Sequence, residues 1–259
     1  MSKLRYDLGL LLVLALLGGF AGPAAAAGKT GKAATAHQTC QKLPQDLLAG
    51  DGVYFGETHG TREMPELLMC FVRQAMTQSR KPIVVSLEFS DEHSPSWAMD
   101  WAHPSDGRTS EAMAKLITDL RKLHARTGRV SLAYQTGCPT DGIPSEAFDN
   151  RCMAEKIKAA MATGFVIAYS GNSHAARLET PWKSAAALLP ASVKTVEILF
   201  SNNGSAWGAY NGGPPGPSPV PGRSDLSGIS GFIPGKSPGF DYAYVIKDIT
   251  PSFPANKAP

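Results

Sequence analysis

The run Ile83-Val84-Val85-Ser86-Leu87-Glu88-Phe89 is nearly all apolar, and its one carboxylate, Glu88, falls near the end. A strand with one wet face would alternate; this one reads as a strand covered on both faces, as in a parallel sheet packed between helices. Comparable runs open at Gly52, Val130, Phe165 and Val193. Between them the apolar residues switch to helical spacing. Met64, Leu67, Leu68, Phe71, Val72, Ala75 and Met76 mark a helix from Glu63 to about Ser79. A second follows a Thr109 or Ser110 cap, with Ala112, Met113, Leu116, Ile117, Leu120 and Leu123 inward. A third runs from Ser145, through Phe148, Met153, Ile157, Ala160 and Met161, to a stop at Gly164. Thr180-Pro181 reads as the start of a helix reaching Leu189. This alternation predicts one α/β domain over residues 40–252, with a mostly parallel sheet and helices on both faces.

Other stretches fit less regular structure. Cys40 to Ala49 is expected to hold a short helix, and residues 90–108, with His93, Trp97, Trp101 and His103, read as a loop. That loop follows the end of a strand, so its tryptophans fit either a lid over a site or a plug for a surface gap. Between Gly204 and Gly239, 17 of 36 residues are Gly or Pro, an excursion too rich in both for a helix or a regular strand. Asp241 to Asp248, with Tyr242, Tyr244 and Ile246 alternating, returns as a last strand. Residues 253–259 are expected to be a loose tail.

The N-terminus has the form of a secretory signal. Lys3 and Arg5 precede an uncharged apolar run from Leu8 to Phe20, and Ala24 to Ala27 offers small-residue cleavage sites, most simply after Ala27. That run is shorter than the ~20 residues of a membrane span, and no second one follows, so no stable membrane anchor is expected. Residues 28–39 are small and polar, a flexible leader. Removing residues 1–27 takes away Lys3, Arg5 and Asp7, leaving 23 basic against 21 acidic residues. No basic run interleaved with aromatics is present, which argues against nucleic acid as a partner. A periplasmic or secreted protein is expected. Four cysteines, Cys40, Cys70, Cys138 and Cys152, suit an oxidising compartment, and three pairings are open. Cys138–Cys152 would close a short Pro/Gly-containing loop; Cys70 lies beside the apolar face of its helix and could tie the N-terminal segment down through Cys40.

In open α/β sheets the ligand crevice lies beyond the carboxyl ends of the strands. Glu57 and His59, Glu88, and His174 all map to that edge, from three different strands. Two carboxylates and two imidazoles in one crevice suit two kinds of site. They could bind a divalent metal with an open position for water. Without a metal, His59 could act as a general base oriented by Glu57 or Glu88, with His174, or backbone N–H groups at a helix N-terminus, stabilising an oxyanion. Either site would hydrolyse an ester or amide in a small-molecule or peptide substrate. Arg62, Arg177 and Asn172 flank these motifs as candidate substrate-binding residues.

In chain order, Gly56-Glu57-Thr58-His59-Gly60-Thr61-Arg62-Glu63, Ser86-Leu87-Glu88 and Gly171-Asn172-Ser173-His174-Ala175 resemble the superfamily that joins erythromycin esterases, ChaN-like haem-binding proteins and Tiki proteases. The His59-Gly60-Thr61-Arg62-Glu63 run looks esterase-like; the short Glu57-x-His59 spacing and the Asn172-x-His174 motif look closer to the ChaN-like branch. The resemblance implies an α/β core with a site of Glu57, His59, Glu88 and His174, and Glu63 as a weaker member. It also implies an alternative, haem or iron binding without catalysis. That branch uses a tyrosine ligand, and Tyr134, Tyr169 and Tyr242 match the role no better than one another.

Overall fold

The computed structural model describes residues 40–102, 105–138, 146–179, 183–209, 213–256 and 258–259; the signal-peptide and leader segments expected over 1–39 lie outside them. The sheet has seven strands. They are β1 (Gly52–Glu57), β2 (Ile83–Leu87), β3 (Val130–Tyr134), β4 (Phe165–Gly171), β5 (Val193–Phe200), β8 (Gly231–Pro234) and β9 (Tyr242–Ile246), in the order β3-β2-β4-β1-β5-β9-β8. Every pairing is parallel except that of the edge strand β8, which runs antiparallel to β9. The mixed α/β fold with a mostly parallel sheet is therefore the one its apolar runs predict.

The pleat of β1, β2 and β4 divides their side chains between two cores. Val53 and Phe55, Ile83, Val85 and Leu87, and Phe165, Ile167 and Tyr169 face one side. There they meet α1 (Gln45–Ala49), α2 (Glu63–Gln78), α3 (Pro95–Ala102) and α4 (Glu111–Thr127). Tyr54, Val84, Val166 and Ala168 face the other, against α5 (Glu146–Met161) and the one-turn helix α6 (Asn172–Ala175). Period-two side-chain direction is what allows an unbroken apolar strand to serve both faces. Phe71 of α2 stacks on Phe55 of β1 at 4.8 Å between ring centroids and is fully buried. The Ser110 hydroxyl accepts from the Met113 N–H to cap α4, and Gly128, in the left-handed region, closes it.

Four expectations need correction. Residues 90–108 are not all loop: Pro95–Ala102 forms α3, and Trp97 and Trp101 are core residues, with Phe89 stacked on Trp101 at 5.4 Å. The tryptophans are thus a plug, since a stack on the end of β2 removes them from water. No helix extends to Leu189; among the described residues of that segment there is a 3-10 turn at Ala186–Leu188, and Thr180-Pro181 lie outside them. The Gly/Pro-rich tract carries strands after all, β6 (Gly204–Gly208) paired antiparallel with β7 (Gly216–Val220), followed by β8. Finally, the tail is not loose through its first residues. Thr61 pairs with Pro251 and Ser110 with Pro254, and the Ala255 N–H donates to the Thr109 carbonyl.

Both disulfides follow the pairing that proximity suggested, Cys40–Cys70 and Cys138–Cys152, and no described cysteine is free. Two disulfides fit a protein of an oxidising, extracytoplasmic setting. Among the described residues no helix is long and apolar enough to cross a membrane.

Candidate active site

Strand order decides where the functional residues meet. β4 lies between β1 and β2, and the register sets Glu57 opposite Gly171 and Leu87 opposite Tyr169. The chain leaves β1 toward α2 on one face of the sheet and leaves β4 through α6 on the other. These two connections part at the carboxyl ends of β1 and β4, the usual ligand position in such a sheet.

Glu57, His59, Glu88 and His174 converge there. Glu57 is 4 % exposed and Glu88 8 %. His59 lies between them, with Nδ1 2.7 Å from Glu57 Oε1 and Nε2 3.5 Å from Glu88 Oε2. The other oxygen of Glu57 accepts from the hydroxyl of buried Tyr169. On Glu88, Oε2 accepts from the Gly171 N–H at 2.8 Å and Oε1 from Arg108 Nη1 at 3.2 Å. His174 Nε2 is 3.7 Å from that same Oε1, while its Nδ1 lies 2.8 Å from the side-chain oxygen of Asn150.

Two glycines make this closeness feasible. A Cβ on Gly171 would sit 3.0 Å from His59 Nε2, a tight contact that the ring would have to give way to. Gly60, at φ 70, turns the chain after His59, and its carbonyl accepts from the N–H groups of Trp207 and Ser252. β6 of the Gly/Pro-rich tract therefore docks on the turn that carries His59, and the Ala209 N–H donates to Ser105 in the neighbouring loop.

The electrostatics follow from the geometry. Burial alone would lower the pKa of His59, but the charges of Glu88 and Glu57 outweigh it and carry the imidazole up to about 10. His59 is an imidazolium at neutral pH. Burial would raise Glu88, yet His59, Arg108 and His174 hold its carboxyl far below the usual range. Burial beside Glu57 pushes the Tyr169 hydroxyl well up, so it stays a proton donor.

The remaining candidates lie elsewhere. Glu63 accepts from the N–H and hydroxyl of Thr250, tying α2 to the C-terminal segment. Arg62 is exposed at the start of α2, with its backbone N–H on the Thr250 carbonyl. Arg177 donates to the carbonyls of Ala186, Leu189, Pro190 and Val193, a clamp on the chain entering β5. Asn172 does border the site: its side-chain oxygen is buried without a partner, where a Cβ on Gly56 would stand 2.4 Å away. Arg108 and Asn150 are the site residues that sequence patterning missed, and Tyr169 was considered only as a haem ligand. The one signal within reach was Asn150, an amide inside a helix, where its kind is disfavoured.

A divalent ion needs lone pairs converging on one point. Here Arg108 and Gly171 take the oxygens of Glu88, and His59 and Tyr169 those of Glu57. Among the described residues no group of three His, Cys, Asp or Glu side chains is arranged to hold a metal ion. As placed, the donors do not fit one. The hydroxyls of the three tyrosines considered for haem, Tyr134, Tyr169 and Tyr242, donate to Glu92, Glu57 and Asp46.

No family model matches the sequence, and no curated protein matches it. Among solved structures, a succinoglycan biosynthesis protein aligns at TM-score 0.59 with 9 % identity, over 81 % of this chain and 90 % of its own. A Bacillus cereus protein aligns at TM-score 0.59 with 10 % identity, over 81 % of this chain and 91 % of its own. The type III effector HopBA1 aligns at TM-score 0.42 with 12 % identity, over 78 % and 90 % of the two chains. The two nearer likenesses show a shared α/β fold.

Proposed function

We propose that the protein is a hydrolase of ester or amide bonds, acting in the periplasm or outside the cell on a small-molecule or peptide substrate. The observation that carries this reading is the separation of His174 Nε2 and Glu88 Oε1, 3.7 Å. Two acceptors at that separation can hold one water at about 2.8 Å from each. Beside them stand a fixed imidazolium, His59, and the Arg108 guanidinium. The likeness of the Glu57-x-His59, Glu88 and Asn172-x-His174 motifs to the erythromycin esterase, ChaN-like and Tiki superfamily supports the same reading.

In this reading the roles first expected of the histidines are exchanged. His59, charged between two carboxylates, is no base at neutral pH; it supplies positive charge for the oxyanion of a tetrahedral intermediate, helped by Arg108. His174 accepts the proton of the water as its oxygen attacks the carbonyl carbon. When the intermediate collapses, the carbon–leaving-group bond breaks and His174 returns that proton to the departing alkoxide or amine. Glu88 holds the water and keeps His59 charged; Glu57 fixes the other side of the His59 ring.

The test is turnover by purified, oxidised protein on a panel of p-nitrophenyl esters and aryl amides, with His174→Ala as control. The expected result is hydrolysis that the control loses. Absence of turnover across the panel, with a stoichiometric Soret shift on hemin titration, would sink the hydrolase reading in favour of haem binding.

A further inference from the structure

His174 and His59 are held by opposite kinds of partner. The side-chain oxygen of Asn150 lies 2.8 Å from His174 Nδ1 and also accepts the backbone N–H of Ala185 at 3.1 Å. A backbone N–H can only donate, so the Asn150 atom it meets must be oxygen, and the orientation of that amide is fixed. Oxygen in turn only accepts, so His174 Nδ1 must carry a hydrogen. A neutral ring protonated at Nδ1 has its lone pair on Nε2.

We propose that Asn150 is the positioning residue of this site, fixing His174 as the Nδ1–H tautomer so that Nε2, facing Glu88, is the proton acceptor. The tautomer follows from hydrogen bonding alone, whereas its catalytic consequence rests on the hydrolase reading above.

The placing of Asn150 has the marks of such a role. It is 2 % exposed in the second turn of α5, and two residues further on Cys152 is bonded to Cys138, just beyond β3. Burying an amide in a helix is unfavourable unless its polar atoms are used, and here one oxygen meets two donors. The choice of amide over carboxylate matters as much. The charged groups around His174 are Glu88 after β2, Arg108 and His59 beyond it, and Glu57 at the end of β1, which is taken up by His59 and Tyr169. From β5, Glu197 accepts the backbone N–H groups of Lys236 and Ser237. An aspartate at position 150 would put a second anion on His174 and favour imidazolium, which is the condition of His59. Asparagine orients the ring without charging it.

The experiment reads the ring nitrogens directly. Oxidised, 15N-labelled protein is examined by NMR at pH 7.5, with the His174 signals assigned by their loss in His174→Gln. The expected spectrum has Nδ1 protonated and Nε2 bearing the lone pair. In Asn150→Ala the two tautomers mix, and kcat on p-nitrophenyl acetate falls roughly tenfold or more with KM little changed. In the near-isosteric Asn150→Asp the orientation returns, but the ring titrates about one pH unit or more higher, and the acid limb of the kcat profile moves with it. A wild-type His174 protonated at Nε2, or ring signals and titration identical across the variants, would overturn the proposal. If the tautomer behaves as expected while no ester is turned over, the positioning role stands and the hydrolase reading fails.

Discussion

Gly56-Glu57-Thr58-His59 and Gly171-Asn172-Ser173-His174 are the same pattern at the ends of two hydrogen-bonded strands, β1 and β4. They do opposite things. The first runs on as an open turn, so His59 folds back on the carboxylate two residues before it. The second coils at once into α6, which swings His174 toward a neutral amide on α5. One imidazole is held in its charged form between two carboxylates, and the other has its Nδ1 hydrogen fixed on an amide oxygen. Like residues are thereby given unlike partners at one centre.

Four measurements would sharpen or break that contrast. The largest effect is expected from His174→Ala, with kcat on an activated ester lowered roughly 10²- to 10⁴-fold and the urea midpoint little altered. Equal loss of stability would make His174 a structural residue. His59→Ala should cost activity and also about 3 kcal/mol of stability, because it leaves Glu57 and Glu88 buried without the cation between them. Urea unfolding at pH 7 measures it, and an unchanged midpoint would end the imidazolium assignment. A smaller effect concerns pH. The pKa of His59 is raised on folding from 6.5 to about 10, so its stabilisation is complete below pH 6.5 and is lost as pH rises through 10. The wild-type melting temperature should therefore fall between pH 7 and 10 by more than that of His59→Gln; parallel curves would refute it. The smallest is Arg62→Ala, an exposed side chain away from the site. Its kcat/KM should stay within about twofold of wild type, within the range expected of surface changes.

The parallel sheet was legible because apolar strands and spaced helices leave separate periodic traces. Four site residues were legible with it, because a βαβ unit delivers every strand end to one edge. Arg108 was not. It reaches Glu88 from the connection between α3 and α4, and a contact made by a loop residue has no period to read. The hairpin in the Gly/Pro tract was hidden for another reason. Strands can pair through backbone bonds at residues of low β propensity. Pro217 and Pro219 are two apart, so both positions without an N–H fall on one side of β7. Glu63 and Arg177 misled because a charged residue beside a motif can equally tie down chain, as both do here.

The C-terminal segment has a further consequence, one of timing. Thr250 holds Glu63, the Ser252 N–H reaches the Gly60 carbonyl, and the Ser252 hydroxyl accepts from the first turn of α4. The turn bearing His59 is thus fastened by residues that follow every strand of the sheet in the chain. A nascent chain could assemble β1 to β5 and still lack a set His59. The setting of His59 would then follow the making of the whole sheet. A chain ending at Asp248 should keep its far-ultraviolet circular dichroism but lose the raised His59 titration in NMR. Retention of that titration would show that the turn needs no late fastening.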